Sequence, residues 1–416
     1  MSRIPPALRS RNYRLFFAGQ GISLIGTWMT QIATIWLVYH LSQSPLLLGL
    51  VAFSGQISTL ILIPFAGVLV ERWNRHRVLI ITQILAMLQS LALAVLALTG
   101  TINIWHIIIL SFCQGAITAF DAPARQAFVP EMVENKEHLA NTIAINSSMF
   151  NGARLVGPAM GGLLIASVGP SYCFLIDGLS YIAVIAGLLA MNVKPRKLSV
   201  ITTNPLERLK EGFAYAFGFP PIRSILLLLA LVTFAGMPYT TLVPIFATNI
   251  LQGGPETLGF LMTAAGLGAL SGAIYLSTRK SVIGLGKFIA ISPAIMGLGL
   301  IGFASSHVLW FSLIMMVLIG VGFILNVTSG NTFLQTIVED DKRARVMSIY
   351  AMSLFGAAPF GNLIAGGLAN YIGASNTLIM GGIVCILGSL IFTKQLPALR
   401  RLVRPIYTQM GLLSKS

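Results

Sequence analysis

Long apolar runs separated by short polar segments are the dominant pattern along this chain. A helix needs about 20 consecutive apolar residues to cross the hydrocarbon core of a bilayer, and the chain contains twelve runs of that kind. Two uncharged stretches, 288–338 and 346–393, each contain two runs, divided by small and polar residues that favour a turn. The pattern predicts an all-α polytopic membrane protein whose twelve spans are residues 15–40, 46–70, 78–99, 104–122, 140–167, 171–192, 222–248, 256–278, 285–305, 308–332, 346–371 and 375–396.

The composition agrees with this prediction and argues against soluble fold classes. Hydrophobic residues make up 56% of the 416 residues and charged residues 9%, whereas soluble domains average about 25% charged residues. The three cysteines lie far apart, and the chain has no zinc-type Cys/His spacing, no HExxH sequence and no GxxxxGK[ST] sequence. We therefore expect no metal, no cofactor, no enzyme activity and no nucleotide-driven pump.

The positive charges indicate how the chain is threaded through the membrane. Lys and Arg number 27 and Asp and Glu 12, so the net charge is +15. Twelve spans place both termini on one side, and 26 of the 27 positive residues fall on that side, while the opposite loops have none. Positive residues accumulate in cytoplasmic loops. We therefore expect spans in a bacterial inner membrane, both termini in the cytoplasm and no nucleic-acid partner.

Small residues recur about 205 positions apart, which predicts an internal repeat. Gly161 corresponds to Gly366, and Gly115 corresponds to Gly320. Parallel repeats of six helices are typical of secondary transporters. We predict a functional monomer with two pseudo-symmetric six-helix bundles at 1–192 and 222–396, a cytoplasmic linker at 193–221 and a basic cytoplasmic tail at 397–416.

The linker contains a predicted amphipathic helix. Pro205 follows Asn204, an arrangement typical of a helix start. Apolar and charged residues after it fall on opposite faces. Such a helix either lies on the cytoplasmic membrane surface or packs on the cytoplasmic ends of the spans. Its predicted apolar face consists of Leu206, Leu209, Phe213 and Phe217.

Four segments resemble motifs of the major facilitator superfamily. The loop after span 2 contains Gly67, an acid–base pair and a basic cluster, with Asn74 where the superfamily has glycine. Asn tolerates a left-handed turn better than other non-glycine residues, so we expect that turn to persist. Span 5 contains a Gly-Pro-x-x-Gly-Gly sequence at 157–162, similar to the motif of drug and proton antiporters. Residues 119–131 and 334–348 resemble the branch of the enterobactin exporter and macrolide-efflux proteins.

This resemblance implies a function as well as a fold. It implies the major facilitator fold and a secondary-active transporter that exports a small amphipathic organic molecule, such as a drug or a siderophore-like compound. The implied energy source is the proton gradient, used by antiport with alternating access, so the implied partners are the substrate, protons and the lipid bilayer. An importer or a lysophospholipid flippase on the same fold remains an alternative.

The resemblance also implies a charge latch on the cytoplasmic face. Spans 2 and 4 both end on that side, which brings the acids and bases at their ends to one layer. In the superfamily such a cluster holds one state of the transporter closed. The alternative is that these charges only set the topology. The predicted latch residues are Glu71, Arg72, Arg75, Arg77, Asp121 and Arg125.

The small residues of span 5 predict close helix packing. They let membrane helices approach one another, and a proline bends the helix and frees a carbonyl group. The predicted packing residues are Gly152, Gly157, Pro158, Gly161 and Gly162.

Arg154 and Asp177 are the ionisable residues well inside predicted spans. Such a residue costs roughly 2.5–3.5 kcal/mol on insertion scales. Counting about 1.5 Å per residue from the outer helix ends places the two at depths about 11 Å apart, so direct pairing requires tilt or a bridging water. We hypothesise that Asp177 carries the coupled proton and Arg154 tunes it, with Asp121 as a further candidate. The alternative is a structural polar contact between helices.

For the substrate cavity, the superfamily implies spans 1, 4, 7 and 10 at the centre. A single polar residue there is more often an interhelical contact than a ligand. A cavity of aromatic, methionine and amide side chains suits a mid-sized amphipathic solute. The candidates are Trp28, Gln31, Thr34, Asn146, Asn151, Met237, Tyr239 and Asn326.

Overall fold

The structure is a computed structural model that describes residues 6–133, 138–193, 205–279 and 281–410. These residues form helices joined by short turns, and none of them is in a β-strand. Within the same ranges fourteen α-helices follow one another: α1 (Arg11–Ser42), α2 (Pro45–Arg72), α3 (Arg75–Leu98), α4 (Ile104–Phe128), α5 (Leu139–Val168), α6 (Pro170–Leu189), α7 (Pro205–Gly218), α8 (Pro220–Gly236), α9 (Tyr239–Ile245), α10 (Pro255–Ser277), α11 (Leu285–Ala304), α12 (Leu309–Ile337), α13 (Asp340–Ile372) and α14 (Ala374–Gln409).

The predicted spans correspond to these helices. Eleven stretches of the described chain are long and apolar enough to cross a membrane, and α5 supplies the twelfth helix. At about 1.5 Å per residue α5 is about 45 Å long, which is also sufficient. The polar residues Asn146, Asn151 and Arg154 lie in α5, which is not among those eleven stretches. The all-α, twelve-helix prediction is therefore confirmed.

Two spans differ most from their predicted bounds. The predicted span 222–248 is interrupted, because α8 ends at Gly236, α9 begins after Pro238, and Phe246–Ile250 forms a π-helical turn. Proline lacks a backbone N–H and clashes with the preceding turn, which explains the interruption. At the other end of the chain, α14 continues to Gln409, beyond the predicted end of the last span at residue 396.

The helices group into two compact units. One comprises Met1–Ile201 with Ala247–Thr263, and the other comprises Thr202–Phe246 with Ala264–Ser416. The division falls inside α10, because the first half of α10 packs on α5. In the first unit α1 packs on α5 and α6, and α2 on α4; in the second, α8 packs on α13 and α14, and α11 on α12 and α14.

The backbone shows the internal repeat. Gln43 and Gln252 both have φ of 51°, and each lies shortly before a proline that begins the next helix. Gly169 and Gly373 have φ of 97° and 84° in the turns from α5 to α6 and from α13 to α14, where glycine avoids the strain of a side chain. Equivalent residues of the two halves therefore adopt the same unusual conformations.

The linker helix α7 packs on the start of α13. Glu211 of α7 pairs with Arg345 of α13 at 2.8 Å, and the Lys342 ammonium lies 4.7 Å from the centroid of the Tyr215 ring. Phe213 stacks on Phe217 with ring centroids 5.9 Å apart. These contacts match the packed alternative for the linker helix, although the start signal at Asn204 and the side chains of Leu206 and Leu209 lie outside the described part of the chain.

Candidate functional site

A buried carboxylate lies where α1, α3 and α6 meet. Asp177 of α6 is 2% exposed. Thr30 and Ser90 donate hydrogen bonds to its Oδ2 atom at 3.1 and 3.0 Å, and Thr27 donates to Oδ1 at 3.5 Å. Gly26 permits this approach, because a Cβ there would lie 2.8 Å from Oδ1. Uncharged hydroxyl groups from two helices therefore hold the carboxylate.

Arg154 lies on the other side of α1 and does not neutralise Asp177. Its guanidinium carbon is 5.9 Å from the centroid of the Trp28 ring. Trp28 and Thr30 project about 160° apart around α1 at 3.6 residues per turn, so α1 lies between the two charged groups. No ion pair joins these two described residues. The expected offset in depth is wrong, because both groups contact residues 26–30 of α1, and rotation around α1 is what separates them.

Asp121 anchors the first of two ion pairs near the end of α4. Arg125, one turn later, is paired with it. Thr82 and Gln83 of α3 donate hydrogen bonds to Asp121 Oδ1 at 3.0 and 2.8 Å. The carboxylate is 5% exposed, so it ties α3 to α4 through one charged and two uncharged partners.

Arg75 anchors the second ion pair. Its Nη1 atom donates to Glu131 Oε1 at 2.6 Å, in the 3₁₀ turn that follows α4. The structure thus brings Asp121, Arg125 and Arg75 to the contact between α3 and α4. Of the other predicted latch residues, Arg72 and Arg77 are exposed, and the Glu71 side chain lies outside the described residues.

Asn74 has a different conformational role in the loop from the predicted one. Its φ is −69° and its ψ 108°, an extended conformation, so the expected left-handed turn is wrong. Its side chain accepts a hydrogen bond from the Arg77 backbone N–H at 3.1 Å. Asn is a favoured N-cap residue, and this cap begins α3 directly after α2.

The glycine motif of α5 packs against two neighbouring helices. A Cβ on Gly161 would lie 3.1 Å from Met29 Cα of α1, and one on Gly157 would collide with the Trp28 side chain. On another face of α5, a Cβ on Gly162 would lie 2.5 Å from the Pro255 carbonyl at the start of α10. Pro158 contributes its carbonyl, which would lie 2.6 Å from a Cβ on Gly259. Gly152 differs from the prediction: among the described residues, a Cβ there would meet nothing within 4 Å.

The predicted cavity residues are distributed between the two units. In the first, Gln31 is exposed and Trp28, Thr34, Asn146 and Asn151 are partly buried. Two of these bond to their own helix, since Thr34 donates to the Thr30 carbonyl and Asn151 to the Ser147 carbonyl. In the second, Met237 is partly buried, but Tyr239 and Asn326 are 2% and 3% exposed. Asn326 donates to Ser292 Oγ at 3.4 Å, so it acts as an interhelical contact in this structure.

Several residues of these sites were not singled out by the sequence. Glu131 lies inside segment 119–131, which resembles the family. Its carboxylate could have been predicted to pair with the basic cluster after span 2. Ser90 is a lone hydroxyl in an apolar span and offered no signal. His76 was given no role, but its Nε2 lies 2.7 Å from the Leu188 carbonyl and joins α3 to the end of α6.

Comparisons with known proteins agree with the motifs. Residues 2–403 match the family described as transmembrane secretion effector. The staphyloferrin A transporter of Staphylococcus aureus is 26% identical over 382 residues, which cover 91% of this chain and 95% of that protein. Macrolide efflux protein A of Streptococcus pyogenes is 24% identical over 387 residues, which cover 90% of this chain and 95% of that protein.

Among solved structures, a bacterial homologue of the human lysosomal transporter Spinster aligns over 98% of this chain and 99% of its own, with a TM-score of 0.70. Its sequence identity is 14%, so this likeness supports the fold alone. The family match extends over nearly the whole chain and agrees with the motifs in α5 and at residues 119–131. The chain therefore belongs to the transmembrane secretion effector family, in the efflux branch of the major facilitator superfamily.

Proposed function

We propose that this protein is a secondary-active exporter that moves a small amphipathic organic molecule out of the cytoplasm in exchange for protons, by alternating access. The observation that carries the proposal is the family match over residues 2–403. The named relatives, a staphyloferrin A transporter and a macrolide efflux protein, support a drug or siderophore-like substrate. The proposed location is a bacterial inner membrane, with both termini in the cytoplasm, which the distribution of Lys and Arg supports.

Asp177 is the proposed proton carrier. An ionised carboxylate within a membrane helix is expensive, and binding a proton removes its charge. Asp177 is buried among hydroxyl groups, which can donate to the charged form and rotate to accept from the neutral form. Asp121 has a different environment, because Arg125 already neutralises it. This contrast supports Asp177 over Asp121 as the group that exchanges the proton.

The ion pairs of Asp121 with Arg125 and of Arg75 with Glu131 are the proposed cytoplasmic latch. The first pair lies within α4, and its Asp121 also accepts hydrogen bonds from Thr82 and Gln83 of α3. The second pair joins the first residue of α3 to the turn that follows α4. A partly buried ion pair that loses one partner leaves an uncompensated charge. Breaking either pair should therefore alter the transport cycle more than it alters membrane insertion.

The direction of transport can be tested by comparing metabolites of a strain that lacks the protein with those of its complemented parent. Cultures grown under iron limitation and cultures exposed to a macrolide should both be measured by mass spectrometry of the medium and the cells. An exporter predicts that one compound accumulates inside the deletion strain and is depleted from its medium. The reverse distribution, retention in the medium and depletion in the cells, would show an importer. Hydrolysis of a compound by the purified protein would contradict the proposed absence of enzyme activity.

A further inference from the structure

Arg154 places a permanent positive charge in the middle of α5. It is the sixteenth of 30 residues in that helix, about 21 Å from the helix end at Val168 at 1.5 Å per residue. The hydrocarbon core of a bilayer is about 30 Å thick. A residue this far from the end of α5 therefore lies within the core and not at its surface. A guanidinium group keeps its charge under all physiological conditions. A position of this kind is costly and usually marks a substrate or ion pathway.

No acidic residue in the described part of the chain compensates this charge. Asp177 contacts the same stretch of α1, but it is held by Thr30 on the opposite face of that helix and by Ser90 of α3. Within the described residues, Arg154 has neither an ion pair nor a side-chain hydrogen bond. Its five N–H donors are therefore available to a ligand.

The group that Arg154 does contact is aromatic. Its guanidinium lies over the Trp28 ring, and that ring meets the Phe150 ring edge-on, with centroids 5.9 Å apart. Arg154 and Trp28 are partly buried, and Phe150 is 48% exposed. Gly157 helps to set this arrangement, because a side chain there would collide with Trp28. The Trp28 and Phe150 rings thus form an apolar surface next to the Arg154 guanidinium, whose N–H donors are available.

We propose that Arg154, Trp28 and Phe150 form the subsite that recognises a carboxylate on the transported molecule, next to an aromatic or apolar body that packs on the two rings. The inference rests on the proposed export function and specifies its substrate class. A planar guanidinium binds the two oxygens of a carboxylate through two parallel hydrogen bonds. One Arg matches one carboxylate in charge, whereas a phosphate dianion would retain an uncompensated charge.

Binding of a matched pair of probes tests this proposal. Dansylglycine carries an aromatic body and one carboxylate, and dansylglycinamide differs from it only in lacking that charge. With purified protein in phosphatidylcholine nanodiscs, dansyl fluorescence titrations should show dansylglycine binding at least about tenfold more tightly, as expected for a hydrogen bond to a charged group. Arg154→Gln should reduce dansylglycine to the affinity of the amide, while the amide changes by less than about twofold. Arg154→Lys should retain part of the preference, since it keeps the charge and loses the planar fork.

Three results would overturn the proposal. The first is that wild-type protein fails to bind dansylglycine or binds both probes equally. The second is that Arg154→Gln weakens both probes by the same factor, which indicates a structural role. The third is that phosphatidylglycerol in the nanodiscs abolishes the preference of the wild-type protein for dansylglycine by competing for Arg154. That result would identify a lipid headgroup as the anion that Arg154 binds.

A transport arm separates this inference from the export function. Proteoliposomes with an imposed pH gradient are loaded with dansylglycine or with the cation dansylcadaverine. Gradient-driven movement of dansylcadaverine without binding of dansylglycine leaves the export function standing and removes the carboxylate subsite. Arg154-dependent binding of dansylglycine without gradient-driven movement of either probe supports the carboxylate subsite and contradicts the export function.

Discussion

The contact between α5 and α10 gives a prediction whose size follows directly from the structure. Gly162 approaches three backbone positions of α10, at Pro255, Glu256 and Gly259. A Cβ at Gly162 would lie 2.5 Å from the Pro255 carbonyl, whereas ordinary contacts begin near 3.4 Å. Backbone atoms cannot rotate away, so Gly162→Ala must move the start of α10 by several tenths of an ångström.

The matched control is Gly152→Ala in the same helix, where the new methyl group meets nothing within 4 Å. Both substitutions add the same intrinsic helix propensity, about 1 kcal/mol, so this contribution cancels when the two variants are compared. Overpacking costs about 1–3 kcal/mol, and that is the expected difference in the free energy of unfolding. At about 2–4 °C per kcal/mol for a domain of 150–250 residues, Gly162→Ala should melt a few degrees below Gly152→Ala.

The assay is thermal unfolding of both variants in the same detergent, followed by size-exclusion chromatography of the heated samples. Equal melting temperatures would refute the close contact, because the clash would then be relieved at no cost. A loss of stability in Gly152→Ala alone would contradict the packing of α5 altogether.

The remaining predictions concern the charged residues. Asp121→Ala should lower the initial rate of substrate efflux about tenfold or more, because Arg125 loses its counter-charge, while the amount of protein in the membrane fraction stays unchanged; equal efflux would remove the latch. Asp177→Asn should fold and bind substrate but lose gradient-driven accumulation in vesicles, and full accumulation would exclude Asp177 as the proton carrier. Glu211→Gln should change the free energy of unfolding by less than about 1 kcal/mol, because exposed ion pairs contribute little. A larger change measured in urea would show that α7 is essential to the second unit.

The sequence was sufficient for the number and approximate placement of the membrane spans, because the membrane imposes a length and a polarity on each span. It was also sufficient to recognise Gly157, Gly161 and Gly162 as packing residues, since small residues at helical spacing have few other uses in a span. Gly152 belongs to the same pattern but faces open space. Composition alone does not distinguish a glycine that touches a neighbour from one that does not.

The orientation of each helix around its own axis could not be predicted. A span that is apolar on all sides gives no periodic signal to define its buried face. The rotation of α1 decides that Thr30 faces Asp177 and that Trp28 faces Arg154. For the same reason the sequence suggested that the two charges influence one another, whereas the structure gives each its own partners.

The loop between α2 and α3 shows a second limit. Asn is compatible both with a left-handed turn and with an N-cap, and the sequence does not choose between them. The structure shows the cap, with the Asn74 side chain on the Arg77 backbone N–H. A motif can therefore keep its place and its effect on the chain direction while using a different backbone conformation.

Proton-coupled export can be measured in inside-out membrane vesicles with an acidic lumen. The lumen pH is followed with a fluorescent dye while a macrolide, or the compound retained by the deletion strain, is added outside. Proton antiport predicts that the addition releases protons from the lumen as the compound enters it, and that Asp177→Asn vesicles show no release. A compound that enters the lumen without any proton release, or one that leaves the lumen, would contradict it.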